Sequence, residues 1–239
     1  MVFDAVEGWD PMDITTIGSN PSTYGRAAGS FVVGVDPSWT LEDVGESASS
    51  GMQNAIRALE DTGINVLEIL MPRAHSVADD WRTIAAYEAR LSYERLGLLQ
   101  DVGPRGDLCR FLEAGYTIQD WQYLEAQERR ERYRQAVSEA FEGVDCLLTP
   151  VLPDGVPTAA SLESISPAAI DRLHRFVGIA PFAALPALTL PAGEGDPVPP
   201  AVQMLGPPNA DRRLLSIGIA LQETTQWHLR HAPVDAPVD

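Results

Sequence analysis

Lysine is absent from these 239 residues, and all 17 basic side chains are arginines. An amine nucleophile, a Schiff-base lysine and the lysine of a phosphate-binding P-loop are thereby excluded. Arginine cannot replace them, because its guanidinium stays protonated and never acts as a base. Cysteine is nearly absent as well. Cys109 and Cys146 are widely spaced, each in an apolar context, and read as reduced, buried thiols of a cytoplasmic protein rather than as a disulfide. No apolar run reaches the ~18 residues that cross a bilayer, so no membrane partner is expected. The opening stretch, Met1-Val2-Phe3-Asp4-Ala5-Val6-Glu7, lacks the basic region of a signal peptide. Positive charge is scarce: 34 acidic residues against 17 arginines leave −17, a balance that repels phosphate backbones and excludes nucleic acid as an expected partner. No glycine-rich phosphate loop is present, and no cofactor is expected.

What is present alternates between strand-like and helix-like periods, which argues for an α/β layered fold. Ser30-Phe31-Val32-Val33-Gly34-Val35 reads as a strand closed by Asp36-Pro37. A helix over residues 41–61 follows, with Val44, Ala48, Ala55, Ile56 and Leu59 on one face and Gly63 past its end. Residues 64–69 form a second strand, so the unit is βαβ and its strands are parallel neighbours. Residues 76–97 and 108–114 read as helices, the second ended by Gly115. Thr117 with Asp120 resembles a capping box opening a long helix to Phe141. That helix carries Glu125, Glu128, Arg129, Arg130, Glu131, Arg132 and Arg134, read as a solvated face paired at i,i+4. Three short strands follow, at Cys146-Leu147-Leu148-Thr149-Pro150, Ala187-Leu188-Thr189-Leu190-Pro191 and Ala201-Val202-Gln203-Met204-Leu205. A helix near residues 167–176, an acidic turn at Glu194 and Asp196, a last helix capped by Asn209 and a frayed tail over 232–239 complete one domain.

Three runs of this C-terminal stretch resemble the amidase signature family: Leu147-Leu148-Thr149-Pro150, then Leu185-Pro186-Ala187-Leu188-Thr189-Leu190-Pro191-Ala192-Gly193, then Val202-Gln203-Met204-Leu205-Gly206-Pro207. Upstream, Gly8-Trp9-Asp10-Pro11-Met12-Asp13 resembles the family's Gly-x-Asp-x-x-Asp stretch. Phe111-Leu112-Glu113-Ala114-Gly115, with Tyr123-Leu124-Glu125-Ala126-Gln127 and Arg130, resembles the segment around its long helix. The resemblance covers nearly the whole chain, and it implies a mixed sheet flanked by helices and a hydrolase acting on carboxylic amide C–N bonds. Pro181 and Ala184 stand where the family has Asn and Gly, and Pro197 and Ala201 replace two further glycines.

The family mechanism that the resemblance implies uses a serine nucleophile, a second serine in a cis peptide and a lysine base. All three belong before the Gly-x-Asp-x-x-Asp stretch, here at residues 8–13, so the chain is expected to hold a partial fold without the catalytic core. An unactivated serine hydroxyl is a poor nucleophile near neutral pH, so no catalytic residue is assigned. Other constellations fare no better. Ser47-Ala48-Ser49-Ser50-Gly51 falls within a helical period; His228 and His231 lack a third ligand; His75 and His174 are isolated. Asp79 and Asp80 are adjacent and point apart on a helix. No metal is expected. Candidate substrate-pocket residues are Arg110, for a carboxylate, and Tyr116, Thr149 and Gln203, for an amide. The expectation is the C-terminal part of an amide hydrolase, inactive alone, or one chain of a split enzyme whose partner covers an exposed sheet edge. A small-molecule amide would bind once the missing part is supplied. The alternative is a non-catalytic binding or regulatory protein.

Overall fold

The computed structural model describes residues 2–3, 7–13, 16, 31–73, 77–99, 106–195 and 198–230. The expectations for His75, Asp196, Pro197, His231 and the tail 232–239 lie outside the described residues. Valine-rich β1 (Val32–Val35) leads through α1 (Pro37–Thr40) and α2 (Glu46–Asp61) to β2 (Asn65–Glu68), and the two strands pair in parallel with Val32 opposite Asn65. Helices α3 (Val77–Leu96), α4 (Asp107–Thr117) and α5 (Asp120–Ala140) follow, and α4 and α5 both pack on α3. Next come β3 (Cys146–Pro150), α6 (Ala159–Leu162), α7 (Pro167–Val177), α8 (Ile179–Ala183), β4 (Ala187–Pro191), β5 (Ala201–Leu205) and α9 (Asp211–Thr224). The strands make one mixed sheet in the order β2-β1-β3-β5-β4. Strand β3 is its pivot, parallel to β1 and antiparallel to β5.

Side chains alternate across β3 and β5, so each strand feeds two cores. On one face, Cys146 and Leu148 of β3 and Val202 and Met204 of β5 pack with Met52, Ala55 and Leu59 of α2 and Leu214, Ile217 and Leu221 of α9. On the other, Leu147 and Leu205 pack under Tyr133 and Val137 of α5, Phe176 of α7 and Phe182 of α8. The edge strands β2 and β4 each pair with one neighbour among the described residues; β2 exposes Asn65, Leu67 and Glu68, and β4 exposes Ala187 and Thr189 while burying Leu190.

Several elements differ from the sequence expectation. The helix expected over 41–61 begins only at Glu46: residues 41–45 are turn and irregular, and a separate short helix, α1, precedes them. Asp36 caps α1, accepting from Trp39 N at 3.2 Å, and Asp43 at φ +51° breaks the chain before α2 begins. Helix α4 does not stop at Gly115. A Cβ there would lie 2.4 Å from the Ala86 carbonyl, so this glycine serves the close approach of α3 and α4. The capping box of α5 is made by Gln119 and Gln122, whereas Thr117 bonds back to Ala114 O. Asn209 is not the cap of α9; it sits at φ +65° and Ala210 takes that position. The arginines of α5 are not merely solvated. Arg129 grips buried Asp80 of α3 through Nε and Nη2 at 2.8–3.0 Å, and Arg130 donates to Phe182 O at 2.7 Å. Cys109 is half-buried rather than buried, with its thiol 3.6 Å from the Glu113 carboxylate, while Cys146 is fully buried as expected.

Candidate functional site

In sheets with parallel strands, binding sites gather beyond the carboxyl ends of those strands. Here that end of β1 is Asp36, and its buried carboxylate ties three segments together. It accepts from Ser38 Oγ at 2.7 Å and Trp39 N at 3.2 Å in α1, and from Met71 N at 2.9 Å, just past β2. Beside this knot a cavity of about 720 Å³ opens between α1, α3, α5, α7 and α8. Its walls include Trp39, Trp81, Tyr133, Ile170, His174 and Ile179. The volume lies within the range of small-molecule sites.

Each large aromatic in the wall is braced by another ring. Trp39 tilts on Phe176 with centroids 5.1 Å apart, Tyr133 on Phe182 at 5.7 Å, and Trp81 stacks on His174 at 6.1 Å. Burial pushes the Tyr133 phenol up to about 12. Four arginines also line the cavity, and each is already engaged. Arg82 binds Asp79 at 2.9 Å and Asp171 at 2.6 Å. Arg172 binds Asp154 at 2.5 Å and Asp43 at 2.9 Å; hydrogen bonding to these carboxylates raises its pKa and holds Asp154 below the usual carboxylate range. Arg175 donates to Trp39 O at 2.8 Å and to Glu42 O at 3.0 Å, and burial lowers its pKa. Arg73 donates to Ser38 Oγ at 2.9 Å, with Asp36 at 3.7 Å.

None of the four residues expected at a substrate pocket lines this cavity. Arg110 and Tyr116 both ride on α4. Arg110 is exposed and has partners, and Tyr116 lies over Arg90 and bonds Glu94, which raises its phenol pKa. Thr149 and Gln203 are brought together as directly opposed residues of β3 and β5. They lie on the Leu147–Leu205 face of the sheet, the face the cavity's helices cover. Both are buried, at 1% and 4% exposure, and Thr149 Oγ1 and Gln203 Nε2 have no hydrogen-bond partner among the described residues. Buried polar atoms are partnered in the great majority of cases, so two orphans side by side mark this spot. Among the described residues, no cluster of three His, Cys, Asp or Glu is placed to hold a metal, and no helix is long and apolar enough to cross a membrane.

Sequence reasoning missed the cavity because Trp39, Trp81, Tyr133 and His174 come from four separate helices. Each stands apart from the others in sequence, and only folding joins them. Asp36-Pro37 was the available signal, as a strand end followed at once by a helix start.

A family model described as Amidase matches residues 1–215. The chain belongs to the amidase family. Among curated amidase-family relatives, an amidase of Pseudomonas putida is 27% identical over 97% of this chain and 52% of its own length. A glutamyl-tRNA(Gln) amidotransferase subunit of Coxiella burnetii is 29% identical over 95% of this chain and 53% of its own. The chain thus spans about half the length of the curated relatives it matches. In solved structures the same fold recurs in 6-aminohexanoate cyclic dimer hydrolase, with TM-score 0.78 at 20% identity, covering 96% of this chain and 53% of that one. A chain of a vestigial protein complex that reveals the evolutionary origins of an s-triazine catabolic enzyme superposes with TM-score 0.71 at 26% identity, over 93% of this chain and 50% of that one.

Proposed function

We propose that this amidase-family chain supplies the substrate-facing part of an amide C–N hydrolase and turns over no amide unaided. The observation that carries the reading is the absence of lysine from all 239 residues, in a family whose implied mechanism needs a lysine base. A serine hydroxyl requires a partner to take its proton, and arginine cannot be that partner. Nucleophile, base and oxyanion donors then come from residues outside 1–239, on the same polypeptide or another. Thr149 and Gln203 are the proposed amide-facing pair. A hydroxyl and an amide N–H on one sheet face offer two donors to a single carbonyl oxygen, and both atoms lack a partner here. Arg110 and Tyr116, which ride on α4 and have partners of their own, stand outside this pair.

A protein partner along an open sheet edge belongs to the same proposal. Its support is that β2 and β4 each have one paired side among the described residues, and that the amidotransferase relatives are by name subunits. A cytoplasmic setting is also proposed, supported by two unbridged thiols. A second reading, a non-catalytic binding or regulatory protein, draws support from the cavity, whose lining residues all fall between positions 39 and 181.

The test is co-expression with a serine- and lysine-bearing N-terminal half taken from a relative, followed by ammonia or amine release from a panel of amides. Turnover by the pair and none by residues 1–239 alone is expected. Turnover by residues 1–239 alone, abolished by altering one of its own side chains, overturns the proposal. A soluble, cooperatively folding chain that never complements any such half favours the binding role.

A further inference from the structure

We infer that the cavity walled by Trp39, Trp81, Tyr133 and His174 is a site for a neutral, planar aromatic group, the aryl part of an amide. The aryl-amide identity rests on the amide-hydrolase reading above; the aromatic and neutral character rests on the walls alone. Three features lead there. The first is rigidity. Trp39 and Tyr133 are buried at 7% exposure and packed on Phe176 and Phe182, so their rings are held in place before any ligand arrives. A fixed aromatic wall favours a flat partner, which loses little freedom on settling against it.

The second is charge. Arg73, Arg82, Arg172 and Arg175 would suggest an anion site, yet their partners Asp36, Asp43, Asp79, Asp154 and Asp171 offset them. A carboxylate ligand would have to displace a carboxylate already in place, in a protein of net charge −17. A neutral ligand has no such competitor.

The third is a polar handle. His174 Nδ1 lies 2.8 Å from Ile170 O, an acceptor, so the neutral ring carries its proton on Nδ1. Nε2 is left as an acceptor on a ring that lines the cavity and stacks on Trp81. An anilide offers both complements: an aromatic face for the tryptophans and an N–H for Nε2.

Calorimetric titration of the full chain with three probes tests this: acetanilide, the open-chain aliphatic valeramide, and the anionic 4-acetamidobenzoate. Acetanilide is expected to bind about tenfold more tightly than valeramide, the upper end of what an aromatic pair contributes. 4-Acetamidobenzoate should bind more weakly than acetanilide. Trp81→Leu is expected to remove most of the acetanilide preference and His174→Ala to weaken acetanilide a few-fold. Circular dichroism identifies a Trp81 variant that fails to fold, in which case exposed His174 and the probe ranking on the unaltered chain still decide. Equal binding of valeramide, tighter binding of 4-acetamidobenzoate, or no binding of any probe overturns the inference. Those outcomes leave the hydrolase proposal standing, because complementation is read by turnover. Failure of complementation with the probe ranking intact removes only the aryl-amide identity.

Discussion

The two faces of the sheet are built to different ends. The face under α2 and α9 is aliphatic and closed: Met52, Leu59, Met204, Ile217 and Leu221 are all at or below 1% exposure, and the helices meet the strands through small residues such as Ala55 and Gly218. The face under α5, α7 and α8 is aromatic, holds paired arginines and a cavity, and leaves two polar atoms of the sheet unpartnered. One amphipathic set of strands serves both. The contrast teaches that stability and recognition have been assigned to opposite sides, so substitutions on the two sides should differ in magnitude and even in sign.

The largest effect is expected on the closed side. Met52→Ala empties a fully buried site and should cost about 3 kcal/mol, or roughly 6–12 °C in Tm by thermal unfolding. An equal loss from Trp81→Ala, which faces open space, would erase the contrast between the faces.

Alkaline pH tests both sides at once. Burial raises the Cys146 thiol on the closed face from 9.0, and lifts Tyr133 on the cavity face from 10.0 to about 12. A raised folded pKa gives stability that is whole below the unfolded pKa and is lost as pH climbs toward the folded one. Stability should therefore fall from pH 9 through Cys146 and further from pH 10 to 12 through Tyr133, the latter by about 2 kcal/mol. Cys146→Ala should remove the first phase and Tyr133→Phe the second, followed by denaturant unfolding against pH. A single phase unaffected by Tyr133→Phe would show that the cavity wall does not shield its phenol.

On the cavity face the sign reverses. Thr149→Val removes a buried hydroxyl without a partner and should raise stability by about 1 kcal/mol. A loss instead means the hydroxyl is satisfied, by an ordered water for example, and the pair is structural. The smallest effect concerns the turn from α8 into β4. Ala184 sits at φ +56°, ψ +51°, a conformation costly for any residue with a Cβ. Ala184→Gly should add somewhat under 1 kcal/mol, seen as a Tm rise of about 2 °C. No gain would place the strain elsewhere.

The closed side was largely legible in the sequence, the cavity side was not. Strands β3, β4 and β5 fall where their β-branched and leucine runs stand between prolines and glycines, and β1 and β2 pair in parallel as a βαβ unit requires. Those signals are local. The grip of Arg129 on Asp80 spans 49 residues, and a helical charge pattern offers Glu125 as a nearer partner. Gly115 resembled a helix stop because its real constraint, the Ala86 carbonyl, belongs to another helix. Thr149 and Gln203 were singled out as polar residues near strand ends, but nothing in either strand indicated that they would face each other unpartnered.

Strand β3 has a consequence for how the chain is made. Its partner β1 is more than a hundred residues upstream and its partner β5 more than fifty downstream, so the pairings at the middle of the sheet join distant parts of the chain. A ribosome releasing the N-terminal two-thirds exposes Leu147 and Leu148 well before Met204 and Leu205 exist to cover them. Such long-range closure slows folding, and nascent chains halted after β3 has left the ribosome but before β5 has emerged should be the ones that chaperones hold.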